Sequence, residues 1–112
     1  MTCSNFKTGN FVYHSKYTNT DYSINRNDSI QTETNLSTGK VTKSRVVWLN
    51  SCEFNLFNIA LAETTDGVER YFQKTPINIK IVGTTRNYYL FTASADSVGK
   101  SLRITDTMRV QQ

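Results

Sequence analysis

The sequence predicts an all-β domain, an antiparallel meander of about eight strands that closes into an up-and-down barrel or half-barrel. Three observations lead there. Apolar and polar side chains alternate with a period of two along most of the chain, as in strands with one buried and one wet face. Clusters of Asn, Asp, Ser, Thr and Gly interrupt these runs at the intervals expected of hairpins. The composition is poor in charge (20%) and rich in Thr, Asn and Ser, which suits strands and turns better than helix. The 112 residues, 38% of them hydrophobic, are enough for one core, so residues 1–112 read as a single domain.

Taken in order, strands are expected near 9–14, 21–26, 29–35, 40–49, 52–62, 76–84, 87–95 and 100–110. Phe11 and Tyr13 open the first, and Tyr22 and Ile24 mark the second. In the third, Ile30, Thr32 and Thr34 alternate with Gln31 and Glu33. Leu102, Ile104, Met108 and Val110 all fall on even positions of the last. Turns are expected at Arg26-Asn27-Asp28-Ser29, Ser37-Thr38-Gly39-Lys40, Asn50-Ser51, Thr84-Thr85-Arg86-Asn87 and Asp96-Ser97-Val98-Gly99. A two-sheet sandwich is the competing arrangement of the same strands.

The rhythm breaks twice. In the fifth strand Cys52, Phe54 and Leu56 share one parity, while Phe57, Ile59 and Leu61 take the other, which predicts a bulge or sharp bend. Near residues 67–74, Val68, Tyr71 and Phe72 have helical spacing after Asp66 and Glu69 in capping-box positions, and Pro76 cannot continue a helix. A short helix there would cover one open end of the sheet.

The residues that could carry chemistry are few. His14 is the one histidine, and it has no partner cluster around it in the sequence. Most of the carboxylates fall in turns or on the polar phase of strands, where solvation is expected. A hydrolase would need Glu33, Glu53 or His14 to converge in a cleft. Phosphate-binding glycine loops, nucleophile elbows and metal-binding spacings are all missing from the sequence, so no catalytic residue, cofactor or metal is expected. Arg45 before Trp48, Arg70 before Tyr71 and Phe72, and Arg86 before Tyr88 and Tyr89 interleave cations with aromatics. Such pairs bind single-stranded nucleic acid when they share an exposed face, and otherwise place the rings in the core with the cations at the rim. The core arrangement is expected, and with it no nucleic-acid partner, despite a net charge of +4.

Cys3 and Cys52 admit three readings. A disulfide would tie the N-terminal segment to the fifth strand and stabilise the fold by roughly 3–4 kcal/mol. Cys3 could instead carry a lipid anchor, leaving Cys52 as a small core residue, or both could be unpaired thiols. No apolar run is long enough for a membrane span, and Met1-Thr2 directly before Cys3 reads as a start that stands where an export signal has been removed.

Cys3-Ser4-Asn5-Phe6-Lys7-Thr8-Gly9-Asn10-Phe11, Ile24-x-Arg26-x-x-Ser29-x-Gln31-x-Glu33 and Val46-x-Trp48-x-x-x-Cys52-x-Phe54-x-Leu56 together resemble a group of small exported β proteins of Gram-negative bacteria, some of them labelled topoisomerases. The likeness covers about the first 56 residues. It implies export and a cysteine pair at these positions, and no known activity. Strand passage is excluded by size, since 112 residues cannot house its machinery. Gly9-x-Phe11 is also similar to the Gly-x-Trp that opens lipocalin-type barrels. That likeness implies an interior lined by Phe11, Tyr13, Trp48, Phe54, Leu56, Ile79, Phe91 and Ile104.

The function expected from these residues is that of a non-enzymatic protein, exported to the periplasm or cell envelope or secreted. It would hold a small apolar or amphipathic ligand in its curved sheet, with Phe11, Tyr13, Trp48, Phe54 and Phe91 as the binding residues. The alternative is an interaction or structural module of the envelope without a pocket, presenting Tyr71, Phe72, Tyr88 and Tyr89 as an exposed patch.

Overall fold

The computed structural model of the protein describes residues 2–16, 19–59, 76–97 and 100–111. The short helix expected near 67–74, and with it Arg70, Tyr71 and Phe72, lies outside the described residues. Eight strands form a closed antiparallel barrel in sequence order: β1 (Gly9–Ser15), β2 (Thr20–Arg26), β3 (Ile30–Asn35), β4 (Val41–Asn50), β5 (Glu53–Ile59), β6 (Ile77–Thr84), β7 (Tyr88–Ser97) and β8 (Lys100–Val110). This is the meander expected from the alternation, with the lipocalin-like topology that the Gly9-x-Phe11 likeness implies, and it is closed rather than half-open. Closure rests on a short seam, in which β1 pairs with β8 at Phe11 with Val110 and Val12 with Arg109, and the Gln111 N–H donates to the Asn10 carbonyl (3.0 Å).

The turns show how local chemistry fixes register. The Asn27 side-chain oxygen accepts the backbone N–H groups of Ser29 (3.0 Å) and Ile30 (2.9 Å). Asn35 does the same for Ser37 (2.9 Å) and Thr38 (3.1 Å), and Gly39 supplies the positive φ (78°) that completes the turn.

Curvature comes from places other than the fifth strand. The pairing of β5 with β4 runs without a break from Phe54 to Ile59. Phe57 and Ile59 simply occupy the outer face there, where Phe57 packs beneath the Arg45 guanidinium (4.8 Å). The register instead shifts between Trp48 and Asn50 on β4, and between Ile81 and Gly83 on β6. Each shift leaves one apolar residue standing outward, Leu49 at 52% exposure and Val82 at 55%.

One half of the barrel is packed solid. A 3-10 turn at Cys3–Phe6 closes this end and is held to the β4–β5 turn by the disulfide Cys3–Cys52. The bond engages both sulfurs, so of the three readings of the cysteines this is the one the structure carries. Phe6, Phe11, Ile24, Phe54 and Tyr89 are essentially buried around Arg26, which is itself only 2% exposed. The Arg26 guanidinium donates to the side-chain oxygen of Gln31 (2.8 Å), the carbonyl of Phe6 (2.8 Å) and the hydroxyl of Tyr89 (2.7 Å). It also lies against the rings of Phe54 (4.7 Å), Phe11 (4.9 Å) and Tyr89 (5.7 Å). Burial pushes the Tyr89 hydroxyl up, outweighing the pull of Arg26, so the phenol stays neutral. Hydrogen bonds and ring faces, rather than a carboxylate, therefore hold this cation.

The outer surface carries Lys43, Arg45, Lys80, Arg103 and Arg109 in exposed positions, beside the exposed apolar residues Val47, Leu49, Val82 and Leu90. Cations spread over the outer face are unfavourable on a lipid-facing barrel. No helix among the described residues is long and apolar enough to cross a membrane. Disulfides such as Cys3–Cys52 form and persist chiefly in oxidising compartments.

Candidate functional site

The opposite half of the barrel is built differently. Successive inward positions there carry Tyr13 on β1, Tyr22 on β2, Glu33 on β3, Thr42 on β4 and Asp106 on β8, and these neighbours in the sheet form a polar and aromatic wall. Each is assigned to the interior by its register partner. Glu33 pairs with the fully buried Ile24, and Asp106 with the buried Phe91.

Both carboxylates are exceptions to the expectation that most such residues sit on the polar phase. In β3 the asparagine-capped turn sets Gln31 opposite Arg26, and the Arg26–Gln31 hydrogen bond locks the odd positions inward. Gln31 is therefore buried and Glu33 follows it, two residues along the same face. Burial pushes the Glu33 carboxyl up from the ordinary carboxylate range. Asp106 had a visible signal: it occupies an even position in the apolar series Leu102, Ile104, Met108 and Val110.

Tyr13 joins the two sides of the seam. Its hydroxyl donates to Asp106 Oδ2 (3.2 Å), while Asp106 Oδ1 accepts the backbone N–H of Thr107 (2.8 Å). Burial, then the negative charge of Asp106, pushes the Tyr13 phenol up to about 12, so it remains a donor across the physiological range. The Tyr13 ring stacks on Tyr22 (centroids 6.2 Å, planes 27°) and meets the edge of Phe91 (5.9 Å).

Two cavities adjoin this wall. The larger, about 570 Å³, is a cleft at the β1–β8 seam: Tyr13 and Asp106 line it from the inner face, and Val12, His14, Asp21, Thr107 and Arg109 from the outward phase of their strands. The smaller, about 340 Å³, is lined by Tyr22, Glu33, Asn35, Lys40 and Thr42. Lys16, Lys40 and Arg109 stand at the rims as exposed cations.

The five aromatic residues expected to bind ligand separate between the two halves. Tyr13 lines the larger cavity. Phe11, Phe54 and Phe91 are 0–5% exposed within the packed core. Trp48 rests on Phe54 (4.5 Å) with the Lys7 ammonium over its ring (5.1 Å), and its indole N–H is buried without an acceptor among the described residues. Of the other interior residues, Leu56 and Ile79 are buried and Ile104 is partly so.

The residues considered for hydrolysis do not converge. Glu33 faces inward, whereas Glu53 is on the outer face, accepting from Asn50 (3.2 Å) and Asn78 (3.0 Å). His14 is also on the outer face, with Nδ1 2.7 Å from an oxygen of Asp21, both side chains more than half exposed. Among the described residues no group of His, Cys, Asp and Glu could hold a metal ion. The aromatic patch expected from Tyr88 and Tyr89 is split by strand parity. Tyr89 is fully buried on Arg26, while Tyr88 lies outside beneath Arg109 (5.5 Å). Arg45 likewise pairs with Phe57 rather than Trp48. No protein-family model, curated protein or solved structure matches the chain.

Proposed function

We propose that the protein is a non-catalytic binding protein, exported to the periplasm or cell envelope or secreted, which holds a small amphipathic ligand at the open half of its barrel. One observation carries the reading. Among the described residues tight packing stops midway along the barrel, and a seam cleft of about 570 Å³ and a cavity of about 340 Å³ adjoin the polar and aromatic wall found there. Eight-stranded barrels can be filled completely by their own side chains, so space beside this wall is a feature of this sequence rather than of the architecture. The disulfide supports export, and the packed half supplies a rigid scaffold for the open one.

Fluorescence titration with the neutral probe N-phenyl-1-naphthylamine tests the reading. Saturable enhancement at one probe per chain is expected, reduced when Thr42→Trp fills the smaller cavity. A linear, non-saturating response in the wild type would overturn it.

A second reading, an interaction module of the envelope, has its own observation: Leu49, Val82 and Leu90 stand 40–55% exposed on the outer face. Its signature would be unchanged probe binding in Leu49→Ser with loss of a protein partner.

A further inference from the structure

Resting on the binding reading above, we infer that the ligand is a small organic cation, an amine whose ammonium group docks on the wall that Asp106, Tyr13, Tyr22 and Glu33 form. Tyrosine faces and carboxylates are the side chains that recognise ammonium groups, the first through the ring quadrupole and the second through charge-assisted hydrogen bonds. Four adjacent strands bring all four residues to one wall. Asp106 is bonded to Tyr13, Tyr13 stacks on Tyr22, and Glu33 lies one strand further, where its charge is felt at Tyr13. Each cavity has one tyrosine and one of these carboxylates in its lining.

The protein also has cations near these cavities, and its net charge of +4 would draw an anion. Position decides between the two. Lys16, Lys40 and Arg109 are exposed, so water screens them. Glu33 and Asp106 point into the barrel, and neither is in an ion pair among the described residues. A charge in a desolvated setting discriminates far more strongly than one at the rim. The inward groups therefore set the sign of the ligand, and the rim cations favour one whose far end is neutral or anionic. The aromatic wall requires an apolar body between the two ends.

The test is calorimetric titration of the disulfide-bonded protein with three probes of one shape: 2-phenylethylamine, 2-phenylethanol and phenylacetate. The amine is expected to bind at least about tenfold more tightly than the alcohol, and the acid more weakly than either. Asp106→Asn and Glu33→Gln should each reduce the amine's advantage by about tenfold while leaving the alcohol within about threefold of its wild-type affinity. The wild-type ranking stands as a test even if one variant fails to fold. Equal binding of amine and alcohol, or preference for the acid, overturns the cation assignment and leaves the binding reading intact. Failure of all three probes, together with failure of N-phenyl-1-naphthylamine to saturate, overturns both.

Discussion

The two halves of the barrel treat an inward ionisable side chain in opposite ways. In the closed half, Arg26 has three hydrogen bonds and three ring faces around it. In the open half, Glu33 is inward and desolvated with no ion-pair partner among the described residues. Isolated burial of a charge is unfavourable by several kcal/mol or raises the pKa instead. The closed half thus meets the cost of its cation within the chain, and the open half leaves its carboxylate to be completed by something else. The difference identifies Arg26 as architecture and Glu33 as a functional candidate, although both are charged residues on the inner phase of neighbouring strands.

The sharpest way to break this comparison is Arg26→Met. It keeps much of the aliphatic volume, yet it strands the Phe6 carbonyl, the Gln31 amide and the Tyr89 hydroxyl in the core. A loss of about 3–5 kcal/mol in urea denaturation is expected. A loss below about 1 kcal/mol would mean that the cation is not holding the closed half together. The disulfide comes next. It spans a sequence separation of 49, and replacing Cys3 and Cys52 by serine should destabilise by about 2–4 kcal/mol. The loss should be local as well, with hydrogen exchange rising around the 3-10 turn and the β4–β5 turn. Equal loosening of β1 and β8 near Tyr13 and Asp106 would show that the halves are not independent.

The strands and their meander were legible in the sequence, the division into two halves was not, and what was hidden was hidden for physical reasons. A period of two reports every strand, because a sheet with one buried face must alternate. It does not report which edges meet, since the β1–β8 seam joins residues about a hundred positions apart through two paired positions. The bulges were disguised because the inserted residues, Leu49 and Val82, are themselves apolar and lengthen the runs Val46-Val47-Trp48 and Ile79-x-Ile81. Apolar Phe57 and Ile59 on the outer face of β5 then imitated a parity switch. Asp106 could have been found as the polar member of an even-numbered apolar series. Glu33 and Arg26 could not, because their phase is set by a polar pair, Arg26 with Gln31, that hydropathy reads as surface.

Smaller effects sharpen the comparison from each side. Gly9 opens β1 at a φ of 140°, and the Phe11 ring lies 3.4 Å from where a Cβ would stand. Gly9→Ala should destabilise by about 1–2 kcal/mol through backbone strain at the closed end, read as a lowered midpoint in thermal unfolding. Asp106→Asn should lower stability by less than about 1 kcal/mol, because the asparagine oxygen still accepts the Thr107 N–H while its amide N–H donates to the Tyr13 hydroxyl oxygen in place of the bond that Oδ2 accepted.

Glu33→Gln is the smallest expected change and the one with the opposite sign. The folded protein holds the Glu33 proton more tightly than the unfolded chain does, because burial disfavours the carboxylate. Wherever the folded state binds more protons, stability falls as pH rises. The native protein should therefore be favoured below the ordinary carboxylate pKa of about 4.3, lose stability as pH climbs to the raised folded value, and level off above it. Glutamine cannot ionise, so the variant lacks this decline. Its thermal midpoint should coincide with that of the wild type at acid pH and lie above it at neutral pH. A variant less stable than wild type at neutral pH would mean that the Glu33 carboxylate has a stabilising partner in the folded chain. The contrast with Arg26 would then be lost.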